Sequence, residues 1–376
     1  MNITEKFLAL VRYSIDETAP IPDIWTMEWP VLFTMAKKQA IAGVLFHGLE
    51  RYTMPDTESQ KDDVRGKMEV PREVVLQWFA LSEQVKQRNR VMNQRCVDVS
   101  RMFEKDGYSC CVLKGQGNAL MYPDSYARMS GDIDVWLMPK SEGKRQKSDV
   151  IEYVKKKNPE GRAEYHHIDY GDFDGVEVEV HYRPSFLNNL IYNHRLQQWF
   201  LGYTDSTEST ELPDGVGEIC VPTPEFNKVY QLVHMYNHLI HEGIGLRQMM
   251  DYYYLLRQAK DNVRCKKEDV RETLRRLGLW TFAGAVMYVM REVFHLEEQY
   301  MIAPVDEKRG LFLLEEMMLG GNFGRYDQRV SHQGNRLKQN LQRLRRDVRL
   351  MRYFPSECLW EPVFRVYHFC WRMANH

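Results

Sequence analysis

The sequence predicts an α+β fold: a small mixed β-sheet with its own helices, flanked by helical regions at both ends of the chain. Three observations predict it. The 376 residues exceed the usual size of one hydrophobic core, so more than one structural unit is expected. Apolar residues recur at helical spacing before residue 106 and after residue 222, and short apolar runs ended by turn residues lie between. We therefore expect an N-terminal helical region (1–105), a central α/β core (106–222) and a C-terminal helical domain (223–376).

Composition and charge exclude several classes of protein. Hydrophobic residues make up 44% and charged residues 27%, which is typical of a globular protein rather than a disordered one. A net charge of -1 gives no overall attraction to nucleic acid or to an anionic membrane. The sequence has no signal-peptide core at its start and no run of about 18 apolar residues, so no transmembrane helix is expected. The seven cysteines lack paired C-x-x-C spacing, which favours reduced thiols and a cytoplasmic location over disulfides or structural zinc.

The N-terminal region is predicted to be helical. Apolar residues between Trp25 and Val44 recur at helical spacing, and a long helix is expected from just after Pro71 to about Lys105. Residues 53–71 are polar, charged and contain proline, which is typical of a linker or a surface loop.

The central region is predicted to alternate strands and helices. Its elements, in order, are a buried strand at 110–113, a short helix at 116–122, a strand at 133–137, a Lys-rich helix at 142–157 and a hairpin of strands 165–169 and 176–181. The sequence GDFDG at residues 171–175 is typical of a hairpin turn and is expected to connect these two strands. After Pro224 the chain is predicted to be helical nearly to its end.

A basic helix is predicted near the C-terminus. Residues 336–352 contain seven basic residues and one acidic residue. An apolar stripe, which we expect to pack against the body of the protein, is formed by Leu337, Leu341, Leu344 and Val348. Two interpretations of the basic face stay open: an ordinary solvated surface, or a contact for a polyanionic acceptor or an anionic membrane.

Candidate metal ligands lie on the predicted strands of the central core. Alternate side chains of a strand share a face, so Asp132 and Asp134 project together, roughly 7 Å apart. Two carboxylates at this spacing can bind Mg²⁺, which keeps the rest of its shell for water and substrate phosphates. Glu177 and Glu179 share a face of the hairpin strand and are the natural donors of a third carboxylate. Such a site can activate an attacking hydroxyl and neutralise charge on a phosphate in transfer.

Candidate phosphate ligands precede these acids. Lys114 and Gly115 stand where a predicted strand ends and a helix begins, so that backbone N–H groups and the lysine charge can hold a phosphate. Arg128 is either a second phosphate ligand or the partner of a carboxylate in a structural salt bridge. His181, on the same strand face as Glu179, orients a carboxylate, acts as a base, or is a buried hydrogen-bonded histidine.

Further candidates lie on the predicted C-terminal helices. His234, His238 and His241 fall at i, i+4 and i+7 on one helix face, where a pair of histidines can bind a transition metal. The simpler interpretation is that they form the polar seam of an amphipathic helix. Arg247 and Asp251, at i and i+4, can pair with each other.

The central motifs are similar to those of a known family. The sequence resembles the uncharacterised nucleotidyltransferase family of bacteria, within the polymerase-β-like superfamily, at Leu113-Lys114-Gly115, Tyr122-Pro123, Arg128, Gly131-Asp132-Ile133-Asp134 and Glu179-Val180-His181-Tyr182. The resemblance implies a nucleotidyltransferase-type sheet, an NTP substrate, and Mg²⁺ or Mn²⁺ bound by Asp132, Asp134 and Glu179. It also implies that His238, Arg247 and Asp251 face the cleft. One departure is that Lys114-Gly115 replaces the Gly-Ser pair that usually holds the triphosphate in the superfamily.

These observations predict a metal-dependent enzyme that moves a nucleotidyl group from an NTP to an unknown hydroxyl acceptor. In this hypothesis Asp132 and Asp134 bridge the metals and Glu179 binds the catalytic one. Lys114 and Arg128 hold phosphates. Two alternatives stay open: a catalytically silent nucleotide- or partner-binding module on the same fold, and an antitoxin-like nucleotidyltransferase acting on a protein or tRNA.

Overall fold

A computed structural model gives the fold of this protein. It describes residues 2–20, 28–53, 70–140, 147–258, 267–329 and 336–375. Within these ranges the predicted α+β class is confirmed, because a small mixed sheet stands in the chain between two helical regions.

Four helices are described in the N-terminal region. They are α1 (Ile3–Ile15), α2 (Trp29–Lys38), α3 (Ala42–Thr53) and α4 (Arg72–Lys105). The predicted long helix is confirmed, because α4 begins directly after Pro71 and ends at Lys105. It buries a row of residues that includes Trp78 and Met92. Of the predicted linker at 53–71, residues 54–69 lie outside the described residues.

The central region contains a four-stranded sheet. Its strands are β1 (Tyr108–Val112), β2 (Ile133–Pro139), β3 (His167–Asp172) and β4 (Glu177–His181), in the spatial order β1-β2-β4-β3. Strands β2 and β4 are parallel, and the other two neighbouring pairs are antiparallel. The predicted strands and hairpin are therefore confirmed, and the sheet is mixed.

Two helices connect these strands, α5 (Gln116–Ala119) and α6 (Lys147–Lys157). Helix α5 is shorter than predicted, because residues 120–122 form a turn ahead of Pro123, which disfavours helical backbone in the residue before it. For the second predicted helix, residues 142–146 lie outside the described residues.

A second, two-stranded sheet completes the central region. It is formed by the antiparallel strands β5 (Thr207–Leu212) and β6 (Gly217–Pro222), which follow helix α7 (Leu190–Leu201). These three elements were not predicted from the sequence.

The C-terminal region is helical, as predicted. Its helices are α8 (Pro224–His241), α9 (Leu246–Arg257), α10 (Lys267–Arg276), α11 (Trp280–Phe294), α12 (Glu307–Gly320), α13 (Arg336–Met351) and α14 (Pro355–Asn375). None of the described helices has both the length and the apolar character needed to span a membrane.

Two hydrophobic cores cover opposite faces of the four-stranded sheet. One combines residues of the N-terminal helices, such as Phe7, with residues of the C-terminal helices, such as Phe282, and includes Trp136 of β2. The other packs Val97 of α4 against the opposite face of the sheet, where Val135 of β2 lies. The first core therefore joins the two ends of the chain, and the division into three regions stays a prediction.

The predicted packing of the basic helix is wrong. The stripe expected to face the body is exposed at Leu341, Leu344 and Val348, by 49%, 55% and 61%. The side chain of Leu337 lies outside the described residues. Helix α13 instead buries Asp347 and Leu350, because Leu350 joins the first core together with Phe354 at the junction with α14.

Candidate functional site

The sheet brings acidic side chains into a row. Asp134 of β2 pairs with Glu179 of β4, and Glu179 pairs in turn with Asp169 of β3. Two residues along the same strands, and therefore on the same face of the sheet, His181 of β4 pairs with His167 of β3. Like charges directly opposite each other destabilise a sheet unless other groups compensate them. This part of the sheet therefore concentrates negative charge beside imidazole rings.

These strands line a cleft of about 590 Å³ together with α8 and α9. Every residue of the predicted site lines it, namely Lys114, Gly115, Arg128, Asp132, Asp134, Glu179 and His181. The predicted helix-face histidines His234, His238 and His241 line it as well. Glu177, exposed at the start of β4, is not part of the lining.

The turn after β1 positions Lys114. The Leu113 N–H donates to the Asp134 carbonyl at 3.0 Å, so the chain stays paired with β2 up to this point. Gly115 then adopts a φ of +56°, a left-handed conformation that glycine reaches without strain. Helix α5 begins directly after it, so the predicted change from strand to helix at Lys114-Gly115 is confirmed.

Asp134 is buried, and both of its carboxylate oxygens are engaged. Its Oδ1 lies 2.9 Å from His181 Nε2, and its Oδ2 lies 2.9 Å from Lys114 Nζ. Burial raises the pKa of Asp134, but the Lys114 charge and the His181 hydrogen bond outweigh burial and hold the pKa well below its usual range. Asp134 is therefore an anion between two positively charged side chains.

Lys114 lies between Asp134 and His234. Its Nζ is 3.3 Å from His234 Nε2. Burial lowers the pKa of Lys114, but the charges of Asp134, Asp132 and Glu179 together raise it above its usual value. Burial and the Lys114 charge hold the pKa of His234 well below its usual range, so His234 is neutral and accepts a hydrogen bond from the ammonium group.

Asp132 stands apart from the buried acids. It precedes β2 and is exposed within the cleft. The charge of Asp134 raises the pKa of Asp132. Among the residues that the structure describes, Asp134, Glu179 and His181 form a group whose ligand atoms lie within 4.8 Å of one another, and Asp132 is outside this group. The structure thus brings two of the three predicted metal ligands together and places the third in the same cleft.

His181 is buried beside two carboxylates. Its Nε2 lies 2.9 Å from Asp134 Oδ1 and 3.7 Å from Glu179 Oε2. Burial lowers the pKa of His181, but the hydrogen bond to Asp134 and the nearby Glu179 carboxylate raise it to about 9. His181 is therefore protonated at neutral pH, and its contact with Asp134 supports the predicted role of orienting a carboxylate.

A buried salt bridge holds Arg128. Its Nε and Nη2 donate to the two oxygens of Asp251 at 2.7 Å each, and Asp251 also accepts from Tyr122 Oη at 2.6 Å. Of the two predicted roles of Arg128, the structure contains the salt bridge, and phosphate contact stays a prediction. Asp251 therefore pairs with Arg128 rather than with Arg247, whose Nη1 donates to the Met129 carbonyl at 3.0 Å.

Several residues of the cleft were missed from the sequence, among them His166, His167, Phe323 and Arg325. The two histidines stood inside a predicted strand, and aligning that strand with 176–181 would have placed one of them near Glu179. Phe323 and Arg325 carried no such signal, because they reach the cleft only through the packing of distant helices.

The donor set fits a divalent cation. Asp134 and Glu179 offer the oxygen ligands that Mg²⁺ prefers, and the His181 nitrogen suits Mn²⁺ in addition. The Lys114 ammonium contacts Asp134 Oδ2, so a cation that binds this oxygen must displace it. His181 must also lose a proton before it can act as a ligand.

A family model described as an uncharacterised nucleotidyltransferase matches residues 26–295. The chain belongs to this family. The matched residues cover most of the chain and all seven residues of the predicted site, so the resemblance to the uncharacterised nucleotidyltransferase family is confirmed. Strands β1 to β4 lie within the matched residues, whereas helices α12, α13 and α14 lie beyond them.

Among solved structures, this nucleotidyltransferase-family chain is similar to an antigenic nucleotidyltransferase-like protein from Paracoccidioides brasiliensis. The two align with a TM-score of 0.35 and 14% sequence identity, over 60% of this chain and 95% of that chain. No curated protein matches the sequence.

Proposed function

We propose that this protein transfers a nucleotidyl group from an NTP to a hydroxyl-bearing acceptor, with Mg²⁺ or Mn²⁺ as cofactor. One observation carries the proposal: Asp134 and Glu179 are paired across parallel strands inside a cleft that Lys114, Arg128 and Arg247 also line. Carboxylates suit a divalent cation, and the basic side chains suit a triphosphate.

The proposed metal ligands are Asp134 and Glu179, with Asp132 at the exposed side of the cleft. When bound, the cation neutralises charge on the transferring phosphate and lowers the pKa of the attacking hydroxyl. The raised pKa of Asp132 reflects repulsion by Asp134, and a cation held beside these acids would relieve that repulsion. His181 keeps Asp134 oriented through its hydrogen bond.

The proposed phosphate ligands surround these acids. Lys114 supplies a mobile point charge once a cation takes its place at Asp134, and Gly115 allows close approach of the backbone. Arg128, fixed by Asp251, supplies a charge at a defined position in the wall. Arg247 is a further candidate, because its Nε is buried and has no hydrogen-bond partner among the described residues.

Pyrophosphate release measures the proposed reaction. Each of the four NTPs is supplied with Mg²⁺ or Mn²⁺, and the acceptor is cell extract, tRNA or protein. Asp134→Asn is expected to reduce turnover on the order of 100-fold or more, because it removes a charged metal ligand. Glu177→Gln, an exposed acid on the same strand as Glu179, is the matched control and should retain full turnover. Wild-type turnover by folded Asp134→Asn would rule the mechanism out.

A second candidate function is a nucleotide-binding module without turnover. The contact between Lys114 and Asp134 Oδ2 favours it, because the ammonium takes a position that a catalytic cation requires. Calorimetry with each NTP, with and without Mg²⁺, separates the two functions. Binding without pyrophosphate release supports the module, and release only with tRNA or protein present supports the antitoxin-like enzyme.

Contact with a polyanion through residues 336–352 stays a proposal, as does a cytoplasmic location. Arg343 and Arg345 are exposed on α13 beside the exposed apolar stripe, which supports a surface available to a partner. The spacing of the cysteines in the sequence supports the cytoplasm.

A further inference from the structure

We infer that a transition-metal ion binds at His167, Asp169 and Glu179. The ligand atoms of these residues lie within 4.8 Å of one another. His167 Nε2 is 3.5 Å from Asp169 Oδ1 and 3.9 Å from Glu179 Oε2. The site lies across β3 and β4. It shares only Glu179 with the group formed by Asp134, Glu179 and His181. The inference goes beyond the proposed function, because it concerns metal binding in the absence of nucleotide and holds whether or not turnover occurs.

The acidic side chains of β2, β3 and β4 do not have equal numbers of positively charged partners. Asp134 has the Lys114 ammonium and the His181 ring at 2.9 Å each. Glu179 and Asp169 stand opposite each other in register, and no lysine or arginine of the described ranges comes within 4.0 Å of either carboxylate. Opposed carboxylates repel each other in a sheet, and a divalent cation between them removes that repulsion.

The imidazole of His167 is already oriented for metal binding. Its Nδ1 lies 3.1 Å from His166 Nε2, a hydrogen-bond distance. This contact turns the Nε2 edge of the ring toward the two carboxylates. Histidine ligands of metals are held in the same way, by a hydrogen bond at the ring nitrogen that does not bind the metal. The His167 side chain is 15% exposed and that of Asp169 is 47% exposed, so solvent reaches the site and gives a cation a route in.

The donor types select the class of metal. One imidazole with two carboxylates suits Mn²⁺, Fe²⁺ or Zn²⁺ and leaves coordination positions for water or a substrate. Mg²⁺ prefers oxygen ligands and dehydrates reluctantly. We therefore expect an excess of Mg²⁺ to compete poorly at this site.

Glu179 belongs to both groups of donors. Its Oε2 lies 3.9 Å from His167 Nε2 and 3.7 Å from His181 Nε2. A carboxylate in this position can bridge two cations, so Glu179→Gln is expected to weaken metal binding at both sites. Variants of Asp134, or of His167 and Asp169, should weaken metal binding at only one of the two sites.

Binding of Mn²⁺ to the full chain without nucleotide, followed by electron paramagnetic resonance, tests the inference. The wild type should bind two equivalents. His167→Gln and Asp169→Asn should each weaken the binding of one Mn²⁺ equivalent by about tenfold or more, because each removes a ligand. Asp134→Asn should weaken the binding of the other equivalent. Asp172→Asn removes an exposed acid from the same strand β3 and is the matched control, with binding expected to equal that of the wild type.

Two results would overturn the inference. One is wild-type Mn²⁺ binding by folded His167→Gln and Asp169→Asn, and the other is a single equivalent in the wild type that Asp134→Asn removes. If circular dichroism shows that His167→Gln does not fold, Mn²⁺ binding by Asp169→Asn tests the inference instead. Asparagine has the same shape as the half-exposed aspartate that it replaces, so this variant is expected to fold. Absence of pyrophosphate release with both equivalents retained counts against the proposed function and supports this inference.

Discussion

Lys114 and Asp134 form a mostly buried ion pair at the centre of the cleft. Their side chains are 18% and 3% exposed. A complete buried pair contributes little net stability, because desolvation offsets the attraction, but loss of one partner leaves an uncompensated charge. The same ammonium stands where a cation would bind Asp134. Lys114 therefore links the stability of the metal-free protein to metal binding.

Lys114→Met is expected to lower the free energy of unfolding by roughly 3 kcal/mol without divalent cations, because Asp134 stays buried without its partner. Mn²⁺ should then raise the Tm of the variant more than that of the wild type. In the variant the cation binds Asp134 without first displacing the Lys114 ammonium. Thermal melts with and without Mn²⁺ measure both effects. Lys156→Met, which removes an exposed ammonium from α6, is the control. Equal Mn²⁺ shifts in Lys114→Met and wild type would contradict the link.

Acidic residues of the site could be predicted where strand alternation decides the direction of their side chains. Asp134 and Glu179 were predictable, because side chains two positions apart share a face. Asp169 was not, because its partner across the hairpin depends on an irregularity between Asp169 and Gly171. A change of register by one residue turns every side chain of a strand to the other face.

Helices α4 and α13 show which properties of a helix follow from its own sequence and which depend on residues elsewhere in the chain. The bounds of α4 follow from Pro71 and from helical spacing, which are local signals, and were predicted correctly. The helical state of α13 is equally local, but its orientation is not. Leu350 and Cys358 in the core set the inward face of α13, so its apolar stripe points to solvent.

Glu357, in the first turn of α14, connects this helix to the start of α7. Its Oε2 accepts from the backbone N–H of Asn188 at 2.6 Å and of Asn189 at 3.4 Å. Burial raises the pKa of Glu357 from the usual 4.5 to about 7, although these hydrogen bonds oppose the shift. The folded protein therefore keeps this proton at pH values where the unfolded chain has lost it.

The contribution of Glu357 to stability is expected to fall as the pH rises from 4.5 to about 7, because in this range the Glu357 carboxyl is protonated in the folded state and ionised in the unfolded state. The loss amounts to about 3 kcal/mol. Urea unfolding across this range measures it. Glu357→Gln keeps an acceptor oxygen and should remove this fall, whereas Glu315→Gln, at an exposed position of α12, should retain it. The same fall in Glu357→Gln as in the wild type would refute the assignment.

At the scale of the whole molecule, the first hydrophobic core joins the two ends of the chain. Phe7 of α1 belongs to the same cluster as Val289 and Val293 of α11. Arg12 adds polar links, because its Nε donates to the Val293 carbonyl at 3.3 Å and its Nη2 donates to the Glu292 carbonyl. The sequence indicated that both regions are helical, but local spacing carries no information about contacts between residues so far apart in the chain.

Phe7→Ala is expected to destabilise the whole helical body rather than α1 alone. The side chain is fully buried, and truncation of a buried phenylalanine costs about 3–5 kcal/mol. Because regions 1–105 and 223–376 share one core, unfolding followed by tryptophan fluorescence and by circular dichroism should shift together to lower urea. Leu76→Ala, at an exposed position of α4, is the control and should change stability by less than about 0.5 kcal/mol. If α1 instead unfolds in a separate transition and the main transition keeps its wild-type midpoint, the two helical regions are independent folding units.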